Sequence, residues 1–179
     1  MQNESVWIPE LNLLMRDKVT LQTPYNPFPC KIVNAVQRLL KLQFKTEGLQ
    51  HSYAAWYDMQ PVSGPAVQIL SDLMAQHCFT TCYRNGGVQV ADSDPGYISL
   101  HVFDQIEVVY KNVVKYPLLN LEYLQVDRQA KGSYDCVLYA IAFAYELLSN
   151  GNVSSNFDNT KMREHLIKCL EDRRITEFP

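Results

Sequence analysis

An unbroken apolar run from Cys136 to Tyr145, set between Gly132-Ser133 and Asn150-Gly151, leaves this chain little choice about its centre. A segment that is apolar almost all round folds as a helix only when every face is covered. It therefore predicts a buried helix over Asp135 to Leu148. The run falls far short of the roughly 20 residues that span a bilayer, so it belongs to a protein core. Asparagine and glycine tolerate the left-handed conformation of a C-terminal cap, which places the end of the helix at Asn150-Gly151. Asp135 is expected to cap the start.

The rest of the chain arranges itself around that helix. With 179 residues, 47% of them hydrophobic and 20% charged, the composition is that of one globular domain. Residues 1–30 read as irregular, because Pro9, Pro24, Pro27 and Pro29 interrupt any long helix. Ile32, Val36, Leu39 and Leu40 recur at helical spacing and predict an amphipathic helix from Lys31 to Phe44. A short strand is expected at Ala66–Leu70. Cys78–Tyr83 and Val88–Asp92 flank Arg84-Asn85-Gly86-Gly87, a strong hairpin signal. A helix over Ile98–Tyr110, a strand over Leu119–Val126 and a last helix from about Asn159 to Asp172 complete the order. On that last helix Met162, Leu166, Cys169 and Leu170 share the core face, and Arg163, Glu164, Lys168 and Glu171 are expected to face solvent. The sum is an α+β layout.

Charge narrows the partners. The net charge is −3, with both signs mixed along the chain. No basic stripe marks a nucleic-acid partner and no polybasic segment marks a membrane surface. Met1-Gln2-Asn3-Glu4 lacks the basic-then-apolar order of a secretory signal. An intracellular setting, nuclear or cytoplasmic, is the expectation, with Cys30, Cys78, Cys82, Cys136 and Cys169 as free thiols.

Four residues carry chemistry. Cys136 opens the buried helix, where unpaired N–H groups and the helix dipole favour a thiolate over a thiol. The plainer alternative is a small core cysteine. If Asn85-Gly86 is a two-residue turn, opposed residues have numbers summing to 171. His77 then faces Asp94, and Asp92 is its diagonal neighbour on the same face. Either carboxylate could orient the imidazole so that its second nitrogen takes a thiol proton. Asp92 is the preferred orienter and Asp94 the competitor. Gln129 precedes Cys136 and has an amide suited to an oxyanion, beside the Cys136 backbone N–H.

In that order, His77, Asp92, Gln129 and Cys136, the chain resembles the ubiquitin-like-protein-specific cysteine proteases, which include SUMO proteases and transposon-associated forms. Asp135-Cys136 followed by Leu138-Tyr139-Ala140-Ile141-Ala142-Phe143-Ala144 is similar to the Asp-Cys-Gly-helix motif of that family. Val90-Ala91-Asp92-Ser93 resembles its aspartate motif, Gln125 to Gln129 the strand before its glutamine, and Ile32-Val33-Asn34-Ala35-Val36 its first helix. Lys161 to Leu166 and Phe178-Pro179 resemble the end of the transposon-associated forms. The likeness covers residues 25–179, with 1–24 as an irregular leading segment. It implies a papain-like, adenain-like fold, with a central mixed sheet and a buried helix carrying the nucleophile. It also implies thiol hydrolysis of a peptide or isopeptide bond after a glycine-ended ubiquitin-like tail, with no cofactor. Cys136 would be nucleophile, His77 base, Asp92 orienter and Gln129 oxyanion donor.

The chain departs from that family at four places. Cys78 follows His77 where tryptophan is usual, and Pro27 stands where a second tryptophan opens the first-helix motif. Those indoles wall the tunnel that receives the Gly-Gly tail. Val137 replaces the glycine after the nucleophile, and Gln129 stands seven residues before Cys136, one more than is usual. A second class of function follows from these losses, a degenerate relative that binds a ubiquitin-like protein without cutting. A metal site of His77, Cys78 and Cys82 is disfavoured, since His77 points to the opposite strand face from the two thiols. His51, His101 and His165 have no triad partner visible in the sequence.

Overall fold

A computed structural model of the chain describes residues 4–153 and 155–179. The elements run β1 (Val6–Ile8), β2 (Leu13–Leu14), α1 (Met15–Gln22), α2 (Cys30–Phe44), β3 (Glu47–Gly48) and β4 (Ala66–Asp72). They continue with β5 (His77–Arg84), β6 (Gly87–Ala91), α3 (Leu100–Tyr110), β7 (Leu121–Tyr123), α4 (Cys136–Ser149) and α5 (Asn159–Glu171). Strands β3-β4-β5-β6-β7 form one sheet in that order, with β1 and β2 paired separately. The two outer pairs are parallel and the inner ones antiparallel, so the sheet is mixed.

Every residue of β4 is buried, which requires cover on both faces. Val67 and Ile69 turn to a core shared with α2, α4 and α5, while Ala66 and Leu70 turn to a second core under α3. This is strand alternation with a hydrophobic layer on each side. Helix α4 sits in the larger core, with Leu138, Ile141 and Phe143 almost wholly removed from water. Burying a side chain of that size contributes about 1.5–3 kcal/mol, so the apolar run anchors the domain. Thr80 on β5 adds a buried hydrogen bond from Oγ1 to the Ala140 carbonyl at 2.6 Å, tying the helix to the hairpin.

The hairpin forms with the expected register. Arg84 pairs with Gly87 and Thr80 with Ala91, and Asn85 and Gly86 take φ of 54° and 79°. Two successive positive φ values make the turn whose twist matches paired strands.

Three expectations need correction. Within the segment expected to be irregular, residues 6–22 supply β1, a 3-10 turn at Pro9–Leu11, β2 and α1, with Ile8, Leu13 and Leu21 buried, and residues 1–3 lie outside the described residues. Pro9 opens a helical turn, where its missing N–H costs nothing, and the other prolines follow α1, so they punctuate the segment without dissolving it. The last strand is shorter than Leu119–Val126, because Pro117–Asn120 wind into a 3-10 turn and β7 starts at Leu121. Asp135 occupies the N-cap position of α4, yet its carboxylate caps no backbone N–H.

Candidate active site

Cys136 is the first residue of α4 and is 8% exposed. The chain reaches it through Gly132, whose φ of +76° is comfortable only without a side chain. The preceding carboxylate works sideways. Asp135 Oδ1 accepts from Arg163 Nη2 at 2.9 Å and Oδ2 from Asn159 Nδ2 at 3.2 Å, pinning the start of α4 to α5. Arg163 therefore does not face solvent as its position on α5 suggested. Its guanidinium also lies 4.5 Å from the Phe28 ring centroid and donates to the Leu21 and Thr23 carbonyls.

His77 begins β5, opposite Asp72 at the end of β4. The carboxylate of Asp72 shapes the turn between them. Oδ1 accepts from the Met74 and Ala75 N–H groups, and Oδ2 from the Ser99 N–H at 2.8 Å. Burial alone would raise its pKa, but those hydrogen bonds hold the carboxyl below its usual value. Asp72 was missed in the sequence, although an aspartate leading into a four-residue turn is a recognisable signal.

The two candidate orienters separate clearly. Asp92 Oδ1 lies 2.7 Å from His77 Nε2, and the Asp92 side chain is 1% exposed. Asp94 is exposed; its backbone N–H donates to the same Asp92 oxygen at 2.9 Å. With Nε2 facing the carboxylate, Nδ1 is the ring nitrogen left for Cys136, whose thiol lies near enough to influence the titration of His77. Burial pulls the His77 pKa down, but the hydrogen bonds and charges of Asp92 and Cys136 outweigh it and push it up to about 10. An imidazolium so stabilised is the counterion a thiolate needs.

Gln129 joins the site through its neighbours. The Ser93 hydroxyl donates to Gln129 Oε1 at 2.6 Å, and Gln129 Nε2 donates to the Ser133 carbonyl and hydroxyl at 3.0 and 3.2 Å. The side chain thus clamps the residue after Asp92 to the loop before Cys136. Its amide is engaged by Ser133.

Two depressions meet at Gln76, His77, Tyr134 and Cys136. One is a cavity of about 210 Å³ running inward past Phe28, Cys30, Val33, Tyr53 and Cys78. The other, about 360 Å³, is shallower and lined by Asp94, Tyr97, Gln129 and Ser133. Cys78 is fully buried, and burial together with the charge at Cys136 raises its pKa, which keeps it a neutral thiol. Among the described residues no cluster of ligating side chains could hold a metal, and Cys78 and Cys82 do lie on the α4 side of the sheet. The remaining histidines lie elsewhere. His51 Nε2 pairs with Asn34, and His165 Nε2 sits 3.4 Å from Cys169 Sγ, a thiol–imidazole contact the sequence did not reveal.

No family model matches the chain, and no curated protein matches it in sequence. Solved structures do. The SUMO protease Ulp1 with its catalytic cysteine oxidised to a sulfonic acid superposes with a TM-score of 0.69 at 13% identity, over 96% of this chain and 90% of that one. A sulfinic-acid form gives 0.67 at 12% identity, over 97% and 90%. The C-terminal Ulp1 protease domain in complex with Smt3, the yeast ortholog of SUMO, gives 0.65 at 12% identity, over 90% and 83%. The mixed sheet, the covering helices and the helix that begins at Cys136 are together the fold of a SUMO-protease domain.

Proposed function

We propose that this chain is a cysteine peptidase or isopeptidase that acts on a ubiquitin-like modifier or its conjugates. The observation that carries the reading is the Asp92–His77 pair at 2.7 Å, with His77 lining the same cleft as a cysteine at the first turn of a helix. The Cys136 thiolate attacks the carbonyl carbon at the end of the modifier. Negative charge moves to the carbonyl oxygen, where the Cys136 N–H is the available donor and the Gln129 amide becomes a second once substrate displaces Ser133. His77 gives its proton to the departing amine, leaving a thioester on Cys136. Water then adds with His77 as base, releasing the carboxylate and restoring the thiolate–imidazolium pair. Asp92 holds the ring and favours its charged form throughout.

The substrate class comes from the likeness to Ulp1 domains, one of which is seen with Smt3. Exposed Leu73, Met74, Tyr97 and Tyr134 near the cleft suit a protein-sized substrate. On this reading the tail enters over Pro27 and Cys78, the positions where the resembled family has its tunnel tryptophans.

One observation favours the second reading, a modifier-binding module without turnover: the Gln129 amide is held by Ser133. Modifiers of several ubiquitin-like classes carrying a fluorogenic C-terminal amide separate the two. Turnover that disappears in Cys136→Ala supports the peptidase. Saturable binding without turnover in either protein supports the module.

A further inference from the structure

From the cavity behind Cys136 we infer that this site selects an apolar side chain within two residues of the scissile carbonyl, on the acyl side. The inference rests on the peptidase reading and gives it a substrate preference. A tail of glycines alone has no side chain to place in a space of about 210 Å³. For comparison, an apolar cavity of about 150 Å³ holds a benzene ring. The space therefore accommodates a leucine or phenylalanine side chain.

Its chemistry points the same way. Val33, Phe28 and the Cys78 thiol supply apolar wall, and Val137 stands beside the nucleophile. Two polar groups on its inner wall have partners. Ser71 Oγ lies 3.7 Å from Cys78 Sγ, and the Asp72 carboxylate is taken by three backbone N–H groups. Among the described lining residues no unpaired carboxylate remains to greet a lysine or arginine, and the Gln76 amide and Tyr134 hydroxyl stand at the mouth shared with the second depression. Filling the space with hydrocarbon replaces poorly held solvent by dispersion contacts. Cys78 is a small residue on this wall, so a larger side chain there should take up part of the space.

The test uses the full chain and dipeptide probes in which an electrophile replaces the scissile bond. Gly-Gly, Leu-Gly, Gly-Leu, Phe-Gly and Lys-Gly forms are compared by the rate of adduct formation on Cys136, read by intact mass, with Cys136→Ala as control. A leucine or phenylalanine probe should react about 10- to 100-fold faster than Gly-Gly, the range a pocket gains from a few buried methylenes. Lys-Gly should be no better than Gly-Gly. Cys78→Trp should abolish the preference by filling the cavity. If that variant does not fold by circular dichroism, Cys30→Phe, at a half-buried position on the same wall, makes the same test. Equal or faster reaction of Gly-Gly, or a preference that survives a folded, cavity-filled variant, overturns the inference while leaving the peptidase reading intact. Absence of any Cys136-dependent adduct, with modifier probes as well as dipeptides, overturns both.

Discussion

Arg163 Nη2 donates to Asp135 Oδ1 at 2.9 Å, and through that bond the last helix of the chain holds the residue next to Cys136. Both side chains are largely withdrawn from water, at 16% and 14% exposure. Removing the guanidinium leaves a partly buried carboxylate with only Asn159 beside it. Arg163→Ala should cost about 2–3 kcal/mol in urea unfolding, somewhat below the value for a fully buried pair. Arg163→Lys keeps the charge but loses the fork and the stacking on Phe28, and should recover less than half of that loss.

Asp92→Asn tests the orienter. The amide cannot stabilise an imidazolium, and it favours the wrong tautomer. Turnover of a modifier amide should fall by about 10³–10⁴ with little change in KM. Asp94→Asn should leave turnover near that of the parent, since Asp94 contributes only its backbone N–H. Equal losses in both variants would contradict the assignment.

The pH dependence of stability follows from His77. Its pKa in the folded protein, about 10, lies above the ordinary value of 6.5. A raised basic pKa means that the folded state binds the proton more tightly than the unfolded state. The stabilisation is therefore complete below about pH 6.5 and is lost as pH rises towards about 10. Urea midpoints should decline across that window in the parent and much less in His77→Gln. An identical slope in the two proteins would argue against the linkage.

Gln129 separates a positioning role from an oxyanion role. If its amide reaches the oxyanion once substrate displaces Ser133, Gln129→Ala should lower kcat by about 10²–10³. If it serves only to clamp Ser93 to Ser133, Gln129→Glu should lower the unfolding midpoint and leave kcat close to that of the parent, which would remove the side chain from the proposed mechanism.

Much of this site was legible before the fold was known, because local rules place its parts. Asn85-Gly86 set the hairpin register that brings His77 beside Asp92. The apolar run placed Cys136 at the head of a buried helix. What was not legible depends on contacts distant along the chain. Arg163 looks solvent-facing on a helical wheel, and only the approach of α5 to the Cys136 loop turns it inward. Asp135 has the residue type of a cap but prefers a guanidinium to a backbone N–H. The choice between Asp92 and Asp94 turned on the chain leaving the sheet after Ala91, which lets a backbone N–H of Asp94 fold back on the Asp92 carboxylate. The leading segment hid its order because its buried leucines pack on helices more than a hundred residues away.

Activation of Cys136 by His77 and Asp92 is tested by alkylation with iodoacetamide at about pH 6, where ordinary thiols are almost wholly protonated. Labelling of each of the five cysteines is followed by peptide mass spectrometry in the parent and in Asp92→Asn. Cys136 should be labelled first and fastest, although Cys30 is more exposed, and Asp92→Asn should slow Cys136 alone. Labelling of Cys136 no faster than Cys30, and unchanged by Asp92→Asn, would contradict an activated nucleophile at this site.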